Sequence, residues 1–223
     1  MTEGNESAGE ELVPASTRTE NALDIAAVVT NMVPWIGGAV AAVLGGMSVN
    51  RKFGRVREVL EGVASDLKDF RSEVSEAYVK TDEFEELLER TLRQAADERS
   101  EEKRRVYKNF LVGAIESPGR PYEEQIRFLR LIEELQPDHI RVLKAFVEGK
   151  TDPSLWASSP GQTLMARIPD IPEERLRELV GQLNDMRVTS MTSFHLLMTG
   201  AGAQNLQHLV TPSGQRLLSF IVE

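Results

Sequence analysis

No cysteine occurs anywhere in the chain. Disulfides, thiol nucleophiles and thiolate metal sites are therefore excluded, and a reducing compartment fits the composition. Histidine is scarce, with three residues, and no nucleophile elbow, phosphate-binding loop or zinc-ligand spacing accompanies them. Positive charge is in the minority: 26 Lys and Arg stand against 35 Asp and Glu, a formal net charge of −9. That balance argues against a general nucleic-acid binder, which needs a clustered basic surface. A secretory signal is not visible either, because the residues before the first apolar stretch are acidic where a signal peptide carries positive charge. These exclusions leave a non-enzymatic protein with no cofactor and no metal, placed in the cytoplasm or on the cytoplasmic face of the cell membrane.

What is present divides the 223 residues into four parts. Residues 1–22 carry Glu3, Glu6, Glu10, Glu11 and Glu20 against Arg18, a composition that cannot bury enough surface to order itself and reads as a disordered acidic tail. Residues 23–50 invert that character, with no charged residue between Asp24 and Arg51. A bilayer-spanning helix needs about 20 apolar residues, so the length suffices, although Thr30, Asn31 and Pro34 interrupt it. Gly37, Ala41 and Gly45 are spaced by four, and Gly38, Ala42 and Gly46 repeat that spacing one step on. On a helix these rows form a smooth ridge that lets a second helix approach closely, in lipid or in a core. Pro34 either ends the first apolar turns or begins a helix from Trp35 to Val49, and Pro34 and Trp35 are counted with the ridge as one membrane or helix-packing site. Arg51, Lys52, Arg55 and Arg57 follow directly, and the positive-inside rule sets them on the cytoplasmic side. The segment is expected to pack against protein, through self-association or another chain, and to have the capacity to enter a membrane. The alternative is a soluble interaction or regulatory module in which it is the buried central helix.

Residues 51–136 hold the clearest periodicity. Phe53, Val56, Leu60, Val63, Leu67, Phe70, Val74 and Ala77 step by three and four, which predicts a long helix with one coiled-coil-like seam. Thr81 or Asp82 caps the next helix, with Asp82 and Glu85 in a D-x-x-E capping pattern. Its stripe is Phe84, Leu87, Leu88, Leu92 and Ala95, resumed at Val106, Phe110 and Ile115 across a stretch, Asp97 to Arg105, that is polar on every face. A short join near Lys80 predicts an antiparallel hairpin with arms roughly 44 and 51 Å long. Ser117-Pro-Gly-Arg-Pro121 ends it, and Tyr122–Leu135 forms a shorter third helix.

Residues 137–223 read as a second module. A helix over Asp138–Gly149, a short segment at Thr163–Arg167 and a helix over Glu173–Met186 precede two expected strands, Met191–Met198 and Leu206–Val210, around a Gly-Ala-Gly turn. A closing helix follows at Gln215–Val222. That order is the order of a winged helix-turn-helix. The expected fold class is therefore mainly α, an apolar N-terminal helix and a long helical hairpin followed by a small α+β winged-helix-like module.

The ending L-V-T-P-S-G-Q-R-L-L-S-F-I resembles the L-T-x-x-G-x-x-F close of many bacterial winged-helix modules. The stretch E-E-K-R-R-V-Y-K-N-F-L, continued by Y-E-E-Q-I-R-F-L-R-L-I-E-E-L-Q-P-D-H-I-R-V-L, is similar to poorly characterised bacterial helical proteins that include the abortive-infection alpha-type family. The likeness covers about residues 80–223 and lies in hydrophobic spacing. It implies a place in phage defence or self-limiting toxicity and carries no residue roles.

Three remaining constellations have plain readings. His139, beside Asp138 in a first helical turn, is expected on the surface. His195 and His208 would face each other if the wing pairs Leu197 with Leu206; two ligands make a poor metal site, so cross-strand packing is the expectation. The recognition helix is acidic, since Asp170, Glu173, Glu174, Glu178 and Asp185 outnumber Arg175, Arg177 and Arg187. Phosphate would repel its N-terminus, so protein contact is expected and nucleic-acid binding is not. Lys103, Arg104, Arg105 and Lys108 read as a solvated helix face.

Overall fold

The computed structural model describes residue 40 and residues 50–67, 76–148 and 156–221. Among them are ten α-helices, one 3₁₀ turn and one two-stranded ribbon, so the chain is mainly helical. Helix α1 spans Asn50–Asp66. Phe53, Val56, Val59, Leu60, Val63, Ala64 and Leu67 are all buried, a stripe wide enough to face two neighbours at once. Those neighbours are α3 (Asp82–Asp97) and α4 (Glu101–Glu116). Helix α5 (Tyr122–Glu134) packs against both.

The expected two-armed hairpin is replaced by shorter helices. Helix α1 ends at Asp66, where Leu67 turns while its N–H still reaches the Val63 carbonyl at 3.0 Å. The described chain resumes as a single turn, α2 (Glu76–Val79), in which Ala77 is exposed and lies outside any seam. Phe70 and Val74 lie outside the described residues. Thr81, not Asp82, is the cap: its Oγ1 accepts from the Phe84 N–H and donates to the Tyr78 carbonyl. Asp82, Glu83 and Glu85 fill the first turn, where negative charge meets the positive end of the helix dipole.

The second arm breaks at Glu98–Ser100. Glu98 is extended, its carboxylate accepts from the Ser100 N–H at 2.8 Å, and the Ser100 hydroxyl caps α4 by accepting from the Lys103 N–H. The cause is visible in the residues. A stretch polar on every face has no stripe to hold it helical against a core, and a serine there supplies a new N-cap.

The remaining elements are α6 (Pro137–Val147), β1 (Ala157–Ser158), α7 (Pro160–Arg167), α8 (Glu173–Asp185), β2 (Met198–Thr199), α9 (Gly200–Gln204) and α10 (Pro212–Leu218). The expected pairing of Met191–Met198 with Leu206–Val210 does not form. Strand β2 pairs antiparallel with β1, Ala157 opposite Thr199 and Ser158 opposite Met198. Leu206–Leu209 is a 3₁₀ turn, and the Gly-Ala-Gly segment is the start of α9, capped by Thr199. One isolated antiparallel bridge joins Thr189 to Val210.

Side chains explain the difference. The Asn184 amide accepts from Met191 N–H at 3.1 Å and donates to its carbonyl at 2.8 Å, and the Phe194 carbonyl accepts from Gly161 N–H. The backbone expected to form a wing strand is already bonded to α7 and α8.

One apolar core runs from Val40 to Ile221. Phe220 meets Phe110 and Phe128 edge-on at 5.5 and 6.0 Å between ring centres, and its carbonyl accepts from the Asn109 amide at 3.0 Å. Gly113 leaves room for that ring; a Cβ there would lie 2.9 Å from it. Lys144–Glu102 and Arg216–Glu124 ion pairs tie α6 to α4 and α10 to α5.

Candidate functional site

The ridge residues Pro34, Trp35, Gly37, Gly38, Ala41, Ala42, Gly45 and Gly46 lie outside the described residues. Val40, the one described position between them, is helical and fully buried within the core that also holds Phe53 and Leu60. No helix among the described residues is long and apolar enough to cross a membrane.

The seam is brought together at five positions. Phe53, Val56, Leu60, Val63 and Leu67 are each buried, and the helix that carries the first four packs against α3 and α4. Burying a large apolar side chain is worth about 1.5–3 kcal/mol, so this face is the main adhesive of the helical part. The cations that follow the apolar segment meet that part directly. Arg55 donates to the Ala96 carbonyl at 2.9 Å, Lys52 pairs with Asp97 and Arg57 pairs with Glu61 at 2.7 Å.

The basic group on α4 is an ionic edge of the α1–α4 contact. Arg104 grips Glu58 at 2.8 Å, Lys108 reaches Asp66 at 2.6 Å, and Arg105 lies 3.8 Å from Glu101. Lys103 departs from the solvated reading: it is buried, with its ammonium 3.4 Å from Glu98 and donating to the Glu133 carbonyl at 2.9 Å. Lys108 packs its stem against Gly62, where a Cβ would come within 2.8 Å. Glu58, Val59, Glu101, Arg104, Arg105 and Lys108 line a shallow cleft.

His139 also departs from expectation. It is buried rather than exposed, because its ring stitches α6 to α8. Nδ1 accepts from the Gln136 N–H at 3.0 Å, which places the proton on Nε2, donating to Gln182 at 2.7 Å. Burial pulls its pKa below the ordinary histidine value, against the opposing pull of Gln182. The wing pair is not formed. His195 sits 2.9 Å from Arg177 and 3.3 Å from Glu173, while the His208 Nδ1 donates to the Asn205 carbonyl of its own turn.

Arg167 carried no sequence signal. Its guanidinium donates to the Ala145 carbonyl at 2.6 Å and to the Gln204 carbonyl at 2.7 Å, so one cation closes the C-terminal ends of α6 and α9. Burial lowers its pKa, and its Nε has no hydrogen-bond partner. Arg141 binds both oxygens of Asp170 at 2.6 and 2.7 Å, which holds that exposed carboxyl below its usual range. Burial raises the Tyr107 hydroxyl, as expected for a phenol enclosed between helices.

Among the described residues no three His, Asp or Glu side chains converge as a metal site would require. No family model matches the chain, and no curated protein or solved structure matches it. The fold and these contacts therefore carry the functional reading by themselves.

Proposed function

We propose that this is a non-catalytic bacterial protein acting by contact, with the charge-free run 25–50 as its membrane-directed element. One observation carries the reading. Twenty-six consecutive uncharged positions, 25–50, run into α1, whose first turns bear Arg51, Lys52, Arg55 and Arg57. Apolar length ending in cations is the pattern of a segment with its following domain on the cytoplasmic face. Burial of Val40 supports a held state, in which the segment packs on its own core before meeting lipid. The ridge from Gly37 to Gly46 would then drive self-association in the membrane.

A winged-helix-like module over residues 137–223 serves protein contact in this reading. The order α6, β1, α7, α8, β2, α9, 3₁₀ turn, α10, with β1 paired to β2, supports it in place of the expected wing hairpin, and Glu173 and Glu174 at the head of α8 disfavour phosphate. A phage-defence role by membrane perturbation belongs to the same proposal and rests on the resemblance over residues 80–223. The soluble interaction module is the second reading, favoured by Val40 alone.

Fractionation of the expressed full chain separates the two. The proposal expects recovery with membranes that survives a salt wash, and loss of assembly when Gly38 and Gly46 are both replaced by leucine. Recovery as a salt-insensitive soluble monomer, with the double variant equally stable, would remove it.

A further inference from the structure

Helices α5 and α6 are joined by Leu135 and Gln136 alone. Leu135 is buried, whereas Gln136 is exposed and belongs to a closed ring of hydrogen bonds that runs into α8. The Gln136 N–H donates to His139 Nδ1 at 3.0 Å, and His139 Nε2 donates to Gln182 Oε1 at 2.7 Å. The Gln182 amide donates to one oxygen of Glu178 at 3.2 Å, and Arg175 donates to the other at 2.7 Å. Arg175 then returns to the Gln136 side-chain oxygen at 2.8 Å and closes the circuit.

The direction of the ring is fixed on both sides of the imidazole. A backbone N–H can only donate, so Nδ1 must accept. Gln182 turns its NH₂ toward the Glu178 carboxylate, so its oxygen must accept from Nε2. Only the neutral imidazole with its proton on Nε2 satisfies both neighbours. A second proton, on Nδ1, would set an N–H against the Gln136 N–H, donor facing donor. Turning the ring over gives no relief, because it presents C–H groups to Gln136 and Gln182 instead. His139 is buried, so water does not replace the lost partners while the contact is closed. The proton can be taken up only if α6 and α8 part there.

The charges around the imidazole do not offset the added one. Arg175 opposes it, while Asp138 and Glu178, which favour it, are engaged with Arg141 and with Arg175 and Gln182. The other elements packed on α6 hold their charged groups elsewhere. Glu102 of α4 pairs with Lys144, Arg167 of α7 binds the Ala145 and Gln204 carbonyls, and His208 of the 3₁₀ turn binds the Asn205 carbonyl.

We infer that this five-residue ring is an acid-released latch, closed on neutral His139, whose opening by one proton frees the α5–α6 connection from α8. It does not depend on the membrane reading above. The test is hydrogen exchange of the full chain at about pH 7.5 and about pH 5.5, compared as protection factors for wild type and His139→Gln. An opened ring titrates near the ordinary value of about 6.5, so one unit below it opening should rise about tenfold. Amides of residues 136, 138–140 and 175–182 should lose that protection in wild type while α1 keeps its own, and His139→Gln should lose none. Nitrogen NMR of wild type needs no variant: His139 should carry its proton on Nε2 at neutral pH and become charged as those amides open. Unchanged wild-type protection at the lower pH overturns the latch. So does an equal loss in His139→Gln, which would place the source in another group, and so does a ring that charges while the amides of α6 and α8 stay protected.

Discussion

The described residues of 50–135 and those of 156–221 hold their shape by different means. In the first region a position is fixed by what it buries: Phe53, Val56, Leu60, Val63 and Leu67 form one stripe, and Phe84, Leu87, Leu88 and Leu92 meet it. In the second, side chains hold backbone. Asn184 grips Met191 at both ends, Arg167 closes two helices, and the Thr211 hydroxyl donates toward the Arg187 carbonyl while accepting from Gly214 N–H. Elements too short to bury a full face, such as the five-residue α9 and the two-residue strands, depend on such bonds. Continuous burial tolerates small changes in volume, whereas a single backbone clamp has no substitute nearby.

The largest effect should come from Leu60→Asp. An unpaired carboxylate in the fully buried seam is expected to cost more than about 4 kcal/mol, read as loss of the cooperative melt. A variant melting like wild type would mean the first region does not depend on its stripe.

Gly214→Val comes next. A Cβ at this site would stand 2.1 Å from the Val188 carbonyl oxygen, so the α10 cap must move and roughly 3 kcal/mol should be lost. Gly54, with open space around it, provides the contrast. Gly54→Ala in an exposed helical position should gain about 0.5–1 kcal/mol. Urea midpoints of the pair test whether close approach or mere helicity governs each glycine.

Asn184→Ala should cost about 2 kcal/mol, because it strips partners from Met191 N–H and C=O and from the Thr189 hydroxyl. The informative readout is hydrogen exchange at residues 189–191, expected to rise sharply there while α1 amides stay protected. Uniform exchange across both regions would erase the distinction between them.

The smallest effect is a pH dependence through His139. Its folded pKa lies below the unfolded value of about 6.5, so the unfolded chain takes a proton that the folded ring refuses. Stability from this group is full above that unfolded value and declines as pH falls through it toward the folded pKa. His139→Gln should flatten the change in urea midpoint between neutral and mildly acidic pH; an unchanged profile would dismiss the ring as its source.

The contrast also explains what was legible in the sequence. Steps of three and four gave the stripes of α1 and α3, because a long buried face imposes its period on the residues. The break at Ser100 carried a local capping signal but no hydrophobic one. The wing was misplaced because the partner of residues 191–194 is decided by Asn184 and Gly161, not by alternation along the strand. His139 looked like a surface residue since the group that encloses it, Gln182, is 43 positions away. Trp156, Leu196 and Leu197 look like ordinary core residues in the sequence until the fold leaves them outside.

The Phe220 socket has a consequence for synthesis. Its walls, Phe110, Phe128 and Asn109, leave the ribosome long before the ring that fills them, with the Asn109–Phe220 bond closing across 111 positions. Throughout that interval the helical part carries an unfilled apolar hollow, the kind of surface on which nascent chains stick to one another. Contacts of such sequence separation also slow closure. Arrival of Phe220 is therefore the step that fills the hollow between Phe110 and Phe128.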